Sequence, residues 1–169
     1  MNLEEAKQKF IQAWGGLGSK WGINKTMAQL HALLFISADA LSTEEMMEIL
    51  QISRGNVNMN VRELMDWGLV QKANKAGERR DYYIAEKDVW KVARQIVRER
   101  KKRELEPIIN LLNELNTTEG DKNSEDYKAF MERIESLKKF TDGVDKSIEK
   151  LVKADENWFI SAMLSILKK

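Results

Sequence analysis

The sequence contains no cysteine and only one proline and one histidine among its 169 residues. Without cysteine, disulfide bonds and thiolate zinc sites are excluded, so the zinc-finger classes fail. One histidine cannot form the paired motif of a catalytic metal site, and no Gly-rich loop follows a strand to cradle a phosphate. No nucleophile has a neighbouring base. We therefore expect no metal, no cofactor and no enzymatic activity.

Long apolar runs are also absent. The longest mostly apolar stretch, residues 27–38, has 12 residues and includes Gln29 and His31, whereas a membrane-spanning helix needs about 20. The first ten residues, MNLEEAKQKF, lack the basic start and apolar run of a secretory signal. We therefore expect a cytoplasmic protein without a membrane partner. The lone His31 is expected to be a packed core residue.

Charge is nearly balanced overall, at +1, but it is unevenly distributed. Residues 71–103 contain 12 Lys and Arg against 5 Asp and Glu, whereas residues 114–149 contain 6 against 10. A basic excess at one end suits a polyanionic partner such as nucleic acid. The run Arg98–Arg103 is more typical of a solvated helix face than of a direct phosphate contact.

The apolar periodicity predicts a mainly α protein with a small β-hairpin. An amphipathic helix should cover Leu3–Gly18, where the glycines of GGLGSKWG are expected to stop or bend it. Asn24 can cap a second, buried helix. Residues 41–85 then give a short helix starting near Thr43, a turn, a second helix capped by Ser53, and two strands around a Gly-containing tip. This order is that of a winged helix-turn-helix.

The second helix of that motif has two distinct faces. At 100° per residue, Val57, Val61 and Leu64 share the core face, and Asn60 lies near them, so Asn60 should hydrogen-bond within the protein. Asn and Arg on the opposite face are the side chains that read base edges in a major groove. The candidate DNA-contacting residues of this helix are Ser53, Arg54, Gly55, Asn56, Asn58, Met59 and Arg62.

The two predicted strands form the wing, with a turn at residues 75–78. Lys75, Arg79 and Arg80 should project at or near its tip. Such a tip can enter a minor groove or grip the flanking phosphates. A merely soluble charged turn is the alternative, and the two preceding helices favour DNA binding.

The remaining chain should be helical. A long helix is expected from Lys87 to Asn116, kinked or divided by Pro107. Two further helices should follow a loop, one through residues 127–140 and another from about Asp145 to the end. Their apolar stripes exceed what a winged helix can cover, which predicts a homodimer. The expected organisation is an amino-terminal packing helix (1–24), the winged helix-turn-helix domain (25–86) and a helical dimerisation and effector region (87–169).

The stretches LSTEEMMEILQISRGNVNMNVRELMDWGLV and GERRDYYIAEKDVWKVARQIVRERKKRE resemble the glycine betaine synthesis regulator (GbsR) group of the multiple-antibiotic-resistance regulator (MarR) superfamily. The resemblance is specific over residues 41–104. It implies a dimeric, nucleoid-associated transcriptional regulator, usually a repressor, that reads a pseudo-palindromic operator in duplex DNA. It maps the DNA contacts to the helix beginning at Ser53 and to the wing around Arg79.

Some members of this group respond to choline or glycine betaine, and quaternary ammonium groups are held by aromatic faces. The candidate cage residues are Trp14, Trp21, Trp90, Trp158 and Phe159, although aromatic residues at helical spacing are more often core residues. A winged helix that serves only as a protein-interaction module, without sequence-specific DNA binding, is the alternative function. The operator, the target genes, the effector and the sign of regulation are not fixed by the sequence.

Overall fold

The structure is a computed structural model that describes residues 1–153 of the chain. Contacts within the chain define two compact units, residues 1–92 and the residues from 93 onward. The first unit contains α1 (Leu3–Lys20), α2 (Lys25–Ile36), β1 (Leu41–Ser42), α3 (Thr43–Leu50), α4 (Arg54–Asp66), β2 (Val70–Ala73) and β3 (Tyr82–Ala85). It also contains the start of α5 (Val89–Arg100), after which come a π-helical turn (Lys101–Leu105), α6 (Glu106–Leu115) and α7 (Glu125–Lys153).

Helix α1 packs closely on α2 through glycines, which corrects the expectation that α1 ends at Gly18. Gly18 lies inside α1 and faces Ala28, whose Cβ would be only 2.6 Å from a Cβ at Gly18, so the close packing of the two helices requires glycine there. The helix continues to Lys20, and Gly22, with a φ of 75°, follows the last turn. Glycine inside a helix lowers its stability but does not end it.

The winged-helix portion begins with well-formed helix caps. The Ser42 hydroxyl accepts from the Glu45 amide, and the Glu45 carboxylate accepts from the Ser42 amide, so α3 starts with a complete capping box. Ser53 caps α4 by accepting from the Asn56 amide at 3.3 Å. Helix α4 then ends before Gly68, which has a φ of 68°. The predicted starts of both helices are confirmed.

The sheet is larger than the predicted hairpin. It has three antiparallel strands in the order β1-β3-β2, with Leu41 opposite Tyr83 and Val70 opposite Ala85. The two-residue strand β1 was not predicted, because two residues show no alternation of apolar and polar positions. Strand β1 joins the wing to the start of α3. The mainly helical winged helix-turn-helix fold is confirmed.

The predicted long helix after the wing is interrupted close to Pro107, although the helical backbone continues because the Glu106 amide donates to the Lys101 carbonyl. Lys101–Leu105 form a π-helical turn, and Pro107 occupies the first turn of α6. Pro107 has no amide hydrogen to donate, which fits the irregular π-helical pairing just before it.

Helix α7 corrects the prediction of two further helices, because one continuous helix covers residues 125–153. Gly143 falls between the two predicted spans. It lies within α7 instead, in a span without proline. The Thr141 hydroxyl donates to the Leu137 carbonyl at 3.0 Å, one turn earlier. No helix within residues 1–153 is long and apolar enough to cross a membrane.

Candidate nucleic-acid interface

The exposed face of α4 carries the side chains expected to read DNA. All seven candidate residues from Ser53 to Arg62 are exposed to solvent. Met59 is 59% exposed, although it is apolar. The opposite face is buried, since Val57 and Val61 are at most 2% exposed. The two faces of the predicted helical wheel are therefore those of the folded protein.

Asn60 supports α4 from inside. It is buried, and its side-chain amide donates to the Asn56 carbonyl at 2.8 Å. This bond satisfies one donor of a buried polar group. Asn60 is therefore a structural residue, as predicted, and Asn56 and Asn58 remain on the solvent side.

An ion pair holds the residue at the start of α4. The Arg54 guanidinium lies 2.6 Å from the Glu44 carboxylate on α3. The hydrogen bond from Arg54 is the main cause of the lowered pKa of Glu44. Both side chains remain substantially exposed. Without DNA, the candidate contact residue Arg54 is therefore paired with Glu44.

A groove of about 350 Å³ separates α4 from the sheet. Asn58 and Arg62 line it on the helix side, and Lys72, Asp81 and Tyr83 line it on the strand side. The Lys72 ammonium lies 3.0 Å from the Asp81 carboxylate. The hydrogen bond to Asp81 raises the pKa of Lys72. The groove thus places a paired cation beside the predicted reading face.

The turn at the tip of the wing is ordered by local contacts. The Glu78 amide donates to the Lys75 carbonyl at 3.1 Å, and Gly77 has a φ of 83°, as a type II turn requires at its third position. Lys75 lies over the Tyr82 ring, with 4.3 Å between Nζ and the ring centroid. The Tyr82 hydroxyl donates to Glu78. Arg79 and Arg80 are exposed.

Lys72, Asp81 and Glu44 were missed as candidate site residues. Asp81 and Tyr83 are two residues apart, so in extended backbone their side chains lie on the same side of the hairpin. The hairpin register sets Lys72 opposite Tyr83, which brings Lys72 diagonally next to Asp81 on that face. That register depends on the turn. The Glu44–Arg54 pair depends on the angle between α3 and α4.

The candidate effector residues have different surroundings. Trp14 is half-buried, with its ring 5.6 Å from Phe10 and 6.4 Å from His31 between centroids. Trp21 is 54% exposed, and Trp90 is half-buried. Trp158 and Phe159 lie outside the described residues. An aromatic cage therefore stays a prediction.

His31 is a buried core residue, as predicted. Burial, with a smaller effect of the Lys87 charge, lowers the pKa of His31 from 6.5 to about 4. The Lys87 ammonium donates to the carbonyls of Leu34 and Phe35 at the end of α2. In residues 1–153, no group of three or more His, Cys, Asp or Glu side chains could hold a metal ion.

The exposed face of α4, the groove and the wing together define a winged-helix protein with a candidate DNA-binding surface. The profile of the MarR family matches residues 21–81. The HTH-type transcriptional repressor GbsR of Bacillus subtilis (strain 168) is 28% identical over 89 residues, which are 53% of this chain and 49% of GbsR. YvaV of the same organism, a candidate HTH-type transcriptional regulator, is 23% identical over 88 residues, 52% of this chain and 50% of YvaV.

The chain thus spans about half the length of the curated relatives it matches. A crystal structure titled as that of a transcriptional regulator superposes with a TM-score of 0.66 at 17% identity, and the match covers 87% of this chain and 95% of that one. At this identity the similarity shows the fold. Residues 21–81 of the chain thus match the MarR family, and about half of the chain is similar to GbsR and YvaV.

Proposed function

We propose that this chain is a homodimeric transcriptional regulator, acting as a repressor, that binds duplex DNA through α4 and the wing. The exposed polar face of α4, supported from inside by Asn60, carries the proposal. Residues 25–86 form the DNA-binding part in this proposal, and residues 1–24 and 87–169 hold two copies together. The protein acts at the nucleoid in the cytoplasm and has no enzymatic activity or cofactor.

Gly55 supports an external partner at the start of α4. A Cβ at Gly55 would meet only the Ser53 hydroxyl, at 4.0 Å, so the packing of the described residues does not require glycine there. Glycine costs roughly 1 kcal/mol relative to alanine inside a helix. A close approach of a DNA backbone would explain why this position has no side chain.

The exposed apolar side chains of the second unit support a homodimer. They lie on α6 and α7: Ile108, Leu111, Phe130, Leu137 and Phe140. Such residues on several helices need a covering surface. A second copy of the chain provides one, and two-fold symmetry would place two α4 helices for the halves of a pseudo-palindromic site.

The DNA-binding proposal is tested with the DNA upstream of the protein's own gene. Fluorescence anisotropy should show an affinity that falls steeply with salt, because bound phosphates release counterions. Arg62→Ala should weaken binding about 10- to 100-fold and reduce sequence preference, as the loss of a base contact does. Arg79→Ala should weaken binding to all sequences and lower the salt slope by roughly 1.

Lys139→Ala is the matched control, because Lys139 is an exposed cation on α7, paired with Glu135. It removes the same charge outside the candidate interface and should leave the affinity unchanged. If neither Arg62→Ala nor Arg79→Ala weakens binding, the chain does not read DNA with this surface. A protein-interaction module would then be the better assignment.

The dimer is tested by sedimentation at micromolar concentration. The wild-type protein should sediment as a dimer. Leu137→Lys with Phe140→Lys should give a monomer, because two charges would have to be buried in an apolar interface. Lys138→Ala, a change between these two positions, serves as the control. A monomeric wild-type protein at this concentration contradicts the proposal.

The effector proposal is that choline or glycine betaine binds among the candidate cage residues, which are Trp14, Trp21, Trp90, Trp158 and Phe159. Titration of either compound should change the tryptophan fluorescence of the wild-type protein and weaken its binding to DNA. Trp14→Phe should shift the titration midpoint. No fluorescence change with either compound up to millimolar concentration would remove this part of the proposal.

A further inference from the structure

Two cations of the candidate DNA-binding surface are paired with carboxylates. Arg54 pairs with Glu44 at 2.6 Å, and Lys72 pairs with Asp81 at 3.0 Å. The first pair joins the starts of α3 and α4, and the second joins β2 to the residue before β3. Arg79 at the wing tip, by contrast, forms no ion pair with any other residue among 1–153. The surface therefore has both paired and unpaired cations.

The paired carboxylates point to competition with phosphate. Carboxylate and phosphate oxygens accept the same hydrogen bonds from Arg and Lys. All four side chains of the two pairs are 44% to 60% exposed, and exposed ion pairs are weak. A phosphate can therefore displace either carboxylate. The displaced carboxylate then stays nearby, where its charge repels the phosphate.

The electrostatics of the two pairs agree with this description. The hydrogen bond from Arg54 lowers the pKa of Glu44, and the hydrogen bond to Asp81 raises the pKa of Lys72. Both directions mean that the pairs are charged near neutral pH. The positions also agree, because Lys72 and Asp81 line the same groove as Asn58 and Arg62.

We propose that Glu44 and Asp81 compete with DNA phosphates for Arg54 and Lys72, and so limit the affinity of the protein for duplex DNA of any sequence. This inference rests on the proposed DNA binding. Limited general affinity is useful to a regulator, because the genome offers a large excess of non-cognate sites. The two carboxylates thus lower the affinity of the candidate DNA-binding surface for DNA of any sequence, without contacting the bases themselves.

The test uses Glu44→Gln and Asp81→Asn in the full-length protein. Each amide keeps an oxygen acceptor for its cation but removes the negative charge. Affinity for a random-sequence duplex is measured by anisotropy between about 50 and about 200 mM salt, where phosphate contacts dominate. Each variant should bind roughly 3- to 10-fold more tightly, and the salt slope should steepen by up to about 0.9 for each phosphate newly neutralised.

A double-mutant cycle assigns the effect to the pairs. The gain from Glu44→Gln should vanish in an Arg54→Gln background, and the gain from Asp81→Asn should vanish in a Lys72→Gln background. Glu132→Gln is the charge control, because Glu132 pairs with the exposed Arg133 on α7. It makes the same change in net charge and should alter affinity less than twofold. Thermal melting confirms that each variant is folded.

The outcomes separate this inference from the function on which it rests. Failure of the wild-type protein to bind any duplex overturns both. If the wild-type protein binds DNA with a steep salt slope, but folded Glu44→Gln and Asp81→Asn bind equally or more weakly, the DNA-binding proposal stands and the competition is wrong. The carboxylates would then position their cations for DNA. Equal gains in Glu132→Gln would also overturn the inference, since net charge alone would explain them.

Discussion

The two units of the chain differ in how they cover their apolar side chains. Residues 1–92 contain 18 of the buried apolar residues, whereas residues 93–153 contain two, Leu112 and Ile134. The described part of the second unit exposes five large apolar side chains against these two, whereas the first unit exposes seven against its 18. The first unit has a core of its own, whereas exposed large apolar side chains outnumber buried ones in the described part of the second unit. This difference supports the proposal that DNA binding and assembly belong to different parts of the chain.

The largest expected effect compares a core residue of the first unit with an exposed residue of the second. Leu64→Ala should lower the free energy of unfolding by about 3 kcal/mol, because Leu64 is 1% exposed and its loss leaves a cavity. Leu111→Ala should cost less than about 0.5 kcal/mol at dilutions where the protein is monomeric, because Leu111 is exposed. Urea denaturation at two protein concentrations measures both. Equal losses at high dilution would contradict the difference between the units.

The second prediction tests the packing of α1 on α2. Gly18→Ala should destabilise the protein by about 2 kcal/mol, because the new Cβ would lie 2.6 Å from that of Ala28. Gly16→Ala is the control in the same helix, since a Cβ there has no neighbour within 4 Å. It should stabilise the protein by about 0.5 to 1 kcal/mol through helix propensity. Chemical denaturation distinguishes them, and a stabilised Gly18→Ala would show that the two helices can separate without loss.

The third prediction concerns the buried His31 and sharpens the description of the first unit. Since burial lowers the pKa of His31 from 6.5 to about 4, only the unfolded state binds the proton between these values. Stability from this group is complete above about pH 6.5 and is lost as pH falls. Between about pH 7 and about pH 5 the loss should approach 2 kcal/mol.

His31→Leu removes this titration without removing a hydrogen bond to Nε2, for which no partner exists among residues 1–153. The difference in unfolding free energy between wild type and variant should therefore change with pH over that range. Carboxylates titrate in both proteins and cancel in the comparison. A difference that is independent of pH would mean that His31 is exposed to solvent in the folded protein.

The site could be predicted where it depends on a single element. The faces of α4 follow from the 3.6-residue period, so Asn60 was placed inside and Met59 outside. Helix caps were equally predictable, because the hydroxyls of Ser42 and Ser53 accept hydrogen bonds from amides three residues later. The ion pairs of Arg54 and Lys72 could not be predicted from the sequence, since each joins residues on different elements. The pairing of β1 with β3 was not predicted for the same reason.

The sequence by itself determined the winged-helix order, the two faces of α4 and the interruption close to Pro107, because period, capping and proline chemistry act over a few residues. Only the tertiary structure decided that Gly18 lies inside α1 and contacts α2, that α7 continues through Gly143, and that Glu44 and Asp81 pair with two cations of the candidate DNA-binding surface. The contacts of Gly18, Glu44 and Asp81 depend on distances between different secondary-structure elements. Local preferences of about 1 kcal/mol are too small to fix such distances before the core has formed.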